Sequence, residues 1–342
     1  MSLLLHTALG LSPDRLPRLA LGTFPSPCRR LHNLSSVLGV ELWLKDDGTC
    51  NSLYGGNKVR KLEFVLPEVL RSGASAVLTL GAIGSNQAVA VGAHAGALGL
   101  QVTVVQCLQP QTPHVTRNLE ALKVLGVRRV LAGHQHDLPF SVPVEWLRRF
   151  LDHGRPPYFL PPGASTAEGV LGYVEAALEL DGQLDPHTPW LVVVPVGSGG
   201  TLAGLALGKA LFSLGWSLSG IAVTPVWASR RGRIERLATA AHALLRAKGA
   251  VSRAMPALDF ELRYDQLGHG YGYPTSAALE AMALAEQVEG LVLEPTYTGK
   301  ALAACIRLAR STHRPVVFWN TLSSTVPGNY FFPDVSTACQ GS

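Results

Sequence analysis

Five short segments of the chain bring together residue types that can do chemistry. In Tyr54-Gly-Gly-Asn-Lys58-Val-Arg-Lys61, a lysine directly follows a tight Gly55-Gly56 turn and opens a helical pattern through Leu62, Val65 and Leu66. A helix N-terminus and a low-polarity pocket both disfavour an ammonium ion. A lysine placed there has a lowered pKa and an amine free to condense with a carbonyl cofactor. Taken alone, the same string also reads as an exposed turn. The second segment, Gly197-Ser198-Gly199-Gly200-Thr201, follows the apolar run Leu191 to Val194 and precedes another helical pattern. Backbone amides at such a turn can hold a phosphate. It is not a dinucleotide fingerprint, because Leu202 stands where the third glycine belongs, and it lacks the P-loop lysine. Without further context it is equally a tight strand-to-helix connection.

The third segment, Gly84-Ser85-Asn86-Gln87, lies between an apolar strand pattern and an apolar helix starting near Ala88. Its hydroxyl, carboxamides and backbone amides can receive a carboxylate, although Ser85 or Asn86 also suits plain helix capping. The fourth and fifth are His269-Gly-Tyr271-Gly-Tyr273-Pro274 and Glu294-Pro-Thr-Tyr297-Thr298-Gly-Lys300. Phenols in such loops can transfer protons, or serve only as packing residues with a bonded hydroxyl. Other polar residues fit chemistry less well. His94 has no second histidine at ligand spacing and reads as a core or helix-face residue, and His134-x-His136 is too small a set for a metal centre. There is no Gly-x-Ser-x-Gly elbow for a hydrolase triad.

These segments need a scaffold, and the chain is long enough to supply one. Its 342 residues are 47% hydrophobic and 15% charged, which excludes disorder and suggests two lobes with a ligand cleft between them. The apolar runs Ala76 to Leu80, Gln101 to Val105, Leu191 to Val194, Ile221 to Val223 and Val316 to Phe318 alternate with helical patterns such as Thr166 to Leu180 and Ser276 to Gln287. That alternation predicts an α/β fold with buried, mostly parallel sheets. The Pro/Gly-rich stretch from Gly154 to Gly163 suits the crossing between lobes. A net charge of +5 gives no indication of nucleic-acid binding, and the run Arg230, Arg231, Arg233 and Arg236 reads as a solvated helix face. Residues 72–116 carry no charge, but glycines and polar residues interrupt them, unlike a membrane span. Cys28, Cys50, Cys107, Cys305 and Cys339 are unevenly spaced, with no Cys-x-x-Cys, and fit a reducing cytoplasm. The N-terminus resembles neither a signal nor a transit peptide.

Taken in order, the segments resemble the fold type II pyridoxal-phosphate enzymes, and within them the group of D-cysteine desulfhydrase and 1-aminocyclopropane-1-carboxylate deaminase. The resemblance rests on Gly55-Gly-Asn-Lys-Val-Arg-Lys-Leu-Glu63, Gly84-Ser-Asn-Gln87, Gly163-Ala-Ser165, Gly197-Ser-Gly-Gly-Thr201, Gly270-Tyr-Gly272 and Tyr297-Thr-Gly-Lys300, spanning residues 45 to about 305. It implies pyridoxal 5'-phosphate as cofactor, Lys58 as its Schiff-base lysine, Asn86 at its ring hydroxyl and Gly197 to Thr201 at its phosphate. It further implies that Ser85, Asn86 and Gln87 bind a small amino-acid substrate, and that Tyr271 and Tyr297 assist proton transfer. The implied fold has two open, twisted, mostly parallel sheets. Residues 1–54 and 168–342 would form the larger cofactor-binding lobe, and 55–167 a smaller inserted lobe that grips substrate. The group also implies a homodimer, with no metal.

Within the group, Thr298 separates the members, because the ring-opening deaminases carry Glu at that position as a partner for a protonated pyridine nitrogen. A neutral hydroxyl favours β-elimination from D-cysteine, giving pyruvate, ammonia and hydrogen sulfide. The deaminase activity and a non-catalytic amino-acid-binding relative are the alternatives. The chain departs from the group at Asn320-Thr-Leu-Ser323, where His-Thr-Gly-Gly is usual, and Leu322 and Ser323 lack glycine's backbone freedom.

Overall fold

The structure is a computed structural model that describes residues 3–251 and 254–328. Cys339 and the C-terminal end of the expected larger lobe lie outside the described residues. The ten strands are β1 (Cys28–Arg30), β2 (Leu42–Asp46), β3 (Ala76–Ala82), β4 (Gln101–Cys107), β5 (Arg128–Gly133), β6 (Tyr158–Leu160), β7 (Leu191–Val196), β8 (Ser217–Ala222), β9 (Glu261–Arg263) and β10 (Val316–Asn320). They form two sheets. A six-stranded sheet runs β1-β2-β10-β7-β8-β9, and a four-stranded sheet runs β5-β4-β3-β6. Every pairing is parallel except β1 with β2. The smaller sheet is built wholly from chain lying between β2 and β7.

Strand β7 shows why the larger sheet is covered on both faces. Val192 and Val194 enter one core with the helices Ala167–Asp181, Gly200–Leu211 and Arg231–Ala247. Leu191 and Val193 enter the opposite core with Ser276–Glu289 and Thr298–Thr312. The two-residue period of a strand splits an unbroken apolar run between two layers. Pro195 has no N–H to give and falls after β10 has stopped pairing with β7 at Val193. In the smaller sheet, Val77, Val102, Val104 and Leu160 pack with the helices Asn57–Arg71, Asn86–Ala97 and Pro113–Val124.

The expected strands are present, but their ends differ. Those at Ala76, Gln101, Leu191 and Val316 each run two residues further, to Ala82, Cys107, Val196 and Asn320. The run assigned to Ile221–Val223 belongs to a strand that starts at Ser217, because pairing with β7 recruits small residues without an apolar signal. Strand β6 lies inside Gly154 to Gly163, so the chain leaves the smaller sheet only after Leu160. Among the described residues, no helix is long and apolar enough to cross a membrane.

Candidate active site

A cavity of about 720 Å³ opens at the C-terminal ends of β3, β4 and β7, where Ala82, Cys107 and Val196 line it. Parallel sheets carry ligands at this end because the strand-to-helix loops converge there. The sequence-predicted residues Lys58, Ser85, Asn86, Gln87, Gly197 to Thr201, Tyr271 and Tyr297 all line this one cavity. Thr298 does not.

Lys58 is the second residue of the helix Asn57–Arg71, whose N-cap Gly56 has φ +83°. A Cβ at Gly56 would stand 2.7 Å from the Thr321 carbonyl oxygen, and one at Gly55 would stand 2.1 Å from that of Gly48. The double glycine is therefore set by two close backbone approaches. The lysine amine donates to Asn57 Oδ1 at 2.8 Å, and burial pulls its pKa down to about 8 against the opposing pull of the Glu294 carboxylate. The divergent segment 320–323 supports this turn from below. Ser323 Oγ accepts from the Gly55 amide at 2.7 Å, and Asn57 N–H donates to Thr321 O. Neither Leu322 nor Ser323 has positive φ, so this segment does not need glycine's freedom.

The Gly197 loop turns through Gly199 at φ +92°, which opens the helix Gly200–Leu211 with no side-chain cap. Its first amides have no acceptor within the helix. Lys61, which the sequence analysis did not single out, sits beside them. A Cβ on Gly200 would lie 2.9 Å from Lys61 Nζ and 2.5 Å from Ser165 Oγ. Lys61 donates to Gly163 O at 3.0 Å and is 1% exposed. Burial, and then the neighbouring Lys58, hold its pKa well below the ordinary lysine value. Its spacing of three from Lys58 places both amines on one helix face, which is the signal that could have found it. Arg233 also differs from its expected role on a solvated face: it lines the cavity and donates to Ser198 O at 3.1 Å.

Ser85 caps the helix Asn86–Ala97 by accepting from Ala88 N–H. The Asn86 side-chain oxygen accepts from Asn118 Nδ2 and His114 Nε2, both at 2.8 Å. This leaves its NH₂ group as the donor available to the cavity. Gln87 is committed elsewhere: its Nε2 donates to Thr79 Oγ1 and Pro161 O, and its Oε1 accepts from Gly163 N–H. What Gln87 offers a ligand is its backbone amide in the first helical turn, not its carboxamide. His94 is a core histidine, 3% exposed and bonded to Tyr54 O at 2.8 Å.

In the same cavity, beside Gly197, the Tyr297 and Tyr271 hydroxyls are bonded at 3.1 Å with the rings edge to face. Burial raises both phenols, Tyr297 to about 12 and Tyr271 well above its ordinary value, so both are neutral at pH 7. The two phenols share one hydrogen bond, so one of their two protons is left for a ligand. Glu294 accepts from the Thr296, Tyr297 and Thr298 amides and thereby caps the following helix. Thr298 is fully buried, and its hydroxyl is bonded back to Glu294 N–H and O.

Among the described residues no Asp or Glu lines the cavity, while Lys58, Lys61 and Arg233 do. Two lysine amines, the Arg233 guanidinium and an uncapped helix start, with no acid among the described lining residues, suit a ligand carrying a phosphate and a carboxylate. Pyridoxal phosphate with an amino acid has this charge pattern, and the donor left on Asn86 suits its ring oxygen. The residues present therefore fit the cofactor.

Comparison with known proteins agrees with this fit. Residues 19–321 match the family described as Pyridoxal-phosphate dependent enzyme. D-cysteine desulfhydrase from Salmonella schwarzengrund is 35% identical over 307 residues, covering 85% of this chain and 88% of that protein. The crystal structure of an ACC deaminase homologue superposes with a TM-score of 0.81 at 30% identity, covering 96% of this chain and 97% of that one. Threonine deaminase isoform 2 from Solanum lycopersicum, at 16% identity, a TM-score of 0.63 and coverage of 94% and 90%, shares the fold.

Proposed function

Because the chain belongs to the family of pyridoxal-phosphate dependent enzymes, we propose that it is a carbon–sulfur lyase that converts D-cysteine and water to pyruvate, ammonia and hydrogen sulfide. The observation that carries this reading is the Lys58 amine, in an acid-free cavity shared with the Tyr271–Tyr297 pair. Similarity to D-cysteine desulfhydrase supports the choice of substrate. When bound, the cofactor supplies an electron sink for the charge left on the substrate Cα.

The chain's own residues do the rest. The Gly197 to Thr201 amides and Lys61 hold the phosphate, and Asn86 Nδ2 donates to the ring oxygen. Ser85 and the Asn86 and Gln87 amides hold the substrate carboxylate. Lys58 Nζ removes the Cα proton, and Tyr271 gives its proton to the departing sulfur. Thr298 leaves the pyridine end without a carboxylate partner, which suits a good thiolate leaving group. Residues 1–54 and 168–342 act as the cofactor lobe and 55–167 as the inserted lobe. The enzyme works as a homodimer in the cytoplasm.

The test is to assay the pyridoxal-phosphate-loaded protein with D-cysteine, L-cysteine and 1-aminocyclopropane-1-carboxylate. Equal amounts of pyruvate and sulfide from D-cysteine are expected. Release of 2-oxobutanoate from the cyclopropane substrate, with no sulfide from cysteine, would establish the ring-opening reaction instead. Binding without any product would identify an amino-acid-binding relative.

A further inference from the structure

Lys300 is a fully buried cation that the proposed chemistry does not use. Its amine donates to Leu267 O at 2.8 Å and to Gly270 O at 3.2 Å. Both carbonyls belong to the loop that delivers Tyr271. Lys300 lies in the first turn of the helix Thr298–Thr312, three residues after Tyr297, whose hydroxyl meets Tyr271 OH at 3.1 Å. One helix start therefore grips the loop twice, at its backbone through Lys300 and at the Tyr271 hydroxyl through Tyr297. The loop's other contacts are mostly local: Leu267 N–H donates to Tyr264 O, the His269 and Tyr273 rings meet edge to face, and Gly272 packs near Gln109 and Pro110. Gly270 and Gly272 adopt φ +128° and +82°, and Gly270 N–H makes a 3.2 Å turn contact to Leu267 O. A charged donor to two carbonyls is stronger than a neutral one and fixes direction as well as distance.

We propose that Lys300 is a positioning residue for the elimination, holding the Tyr271 hydroxyl against Tyr297 and toward the reacting sulfur. This inference rests on the reaction and the Tyr271 role proposed above. A shift of about 1 Å in such a group costs up to about a hundredfold in rate, and losing a general acid costs about 10²–10⁴.

The test is a double-mutant cycle on the cofactor-loaded enzyme with D-cysteine. Tyr271→Phe is expected to lower kcat by about a hundredfold or more. Lys300→Met should lower kcat by at least about tenfold, with KM changed less than about threefold and the cofactor absorption band retained. On the Tyr271→Phe background, Lys300→Met should change kcat by less than about twofold, because its effect runs through that hydroxyl. Equal losses on both backgrounds, or an unimpaired single variant, would overturn the positioning role. If Lys300→Met loses the cofactor, Gly270→Ala strains the same loop and must show the same dependence on Tyr271; additive losses would again refute the role. Full activity in Tyr271→Phe would instead remove the proton-transfer step itself, so the two failures are distinguishable.

Discussion

Three lysines stand around the proposed chemistry, and their environments suit them to different tasks. Lys58 lines the cavity with an amine whose pKa is lowered to about 8 by burial. Condensation with a carbonyl needs the neutral amine, so the rate at which apoprotein takes up pyridoxal phosphate should rise with pH and level off above about 8. A stopped-flow absorbance series across pH 6 to 10 measures this, and a flat profile would contradict the assignment. Lys61 sits by the uncapped Gly200 turn, so Lys61→Met should weaken cofactor binding by about tenfold or more, measured by fluorescence titration. Lys58 was legible in the sequence because two glycines and a helix start flag it. The spacing of Lys61 from Lys58 was a signal too, but the dry settings of Lys61 and Lys300 were not legible, because only tertiary packing strips water from a lysine along a helix or beside a distant loop. Gln87 shows the converse. Its residue type suits a carboxylate, but Thr79, Pro161 and Gly163 surround its carboxamide.

The helix Asn57–Arg71 and the loops around it depend on close backbone contacts that a sequence pattern only hints at. Gly56→Ala would force a positive-φ alanine and place its Cβ 2.7 Å from Thr321 O. It should destabilise the protein by about 1–3 kcal/mol and reduce cofactor content, read by thermal unfolding and by absorbance of the purified protein. Buried strands such as β7 were visible as apolar runs, since both their faces are covered. The edge strands β5 and β9, Arg128–Gly133 and Glu261–Arg263, were not. Their charged residues face solvent at the sheet margins and mask the two-residue period. Ser323 illustrates a departure that chemistry explains: its hydroxyl accepts the Gly55 amide and steadies the lysine turn.

Across the molecule, a buried ion network ties the lysine helix to the larger sheet. Arg60 bonds Asp47 at 2.8 Å and Glu179 at 2.8 Å, while Lys45 also pairs with Glu179. Tyr173 OH and Trp319 Nε1 donate to Asp47 Oδ2. Beside it, Arg18 is shared by Glu63 and Glu175, both at 2.5 Å, and Glu175 Oε2 has no partner among the described residues. Burial raises Glu175 to about 7, with Glu63 adding to the effect and Arg18 opposing it. A carboxyl whose folded pKa lies above its free value of 4.5 contributes stability that is fully present below 4.5 and is lost as pH rises to about 7. Glu175→Gln should therefore flatten the stability profile between those values and stabilise the protein at pH 8 by about 1–3 kcal/mol. Denaturant unfolding at several pH values checks this, and a profile unchanged by the substitution would contradict it. The α/β plan with mostly parallel sheets was legible from alternating patterns, whereas this network was not, because its members come from five distant segments.

Lys58 is the residue proposed to carry the cofactor, with Lys61 and Lys300 proposed to serve beside it. The most direct test is to load the protein with pyridoxal phosphate, fix the bond with borohydride, digest it and locate the labelled lysine by mass spectrometry. The label is expected on Lys58, and a Lys58→Ala protein should acquire none at this site. A label on Lys61 or Lys300, or equal labelling after Lys58→Ala, would contradict the assignment and the chemistry derived from it.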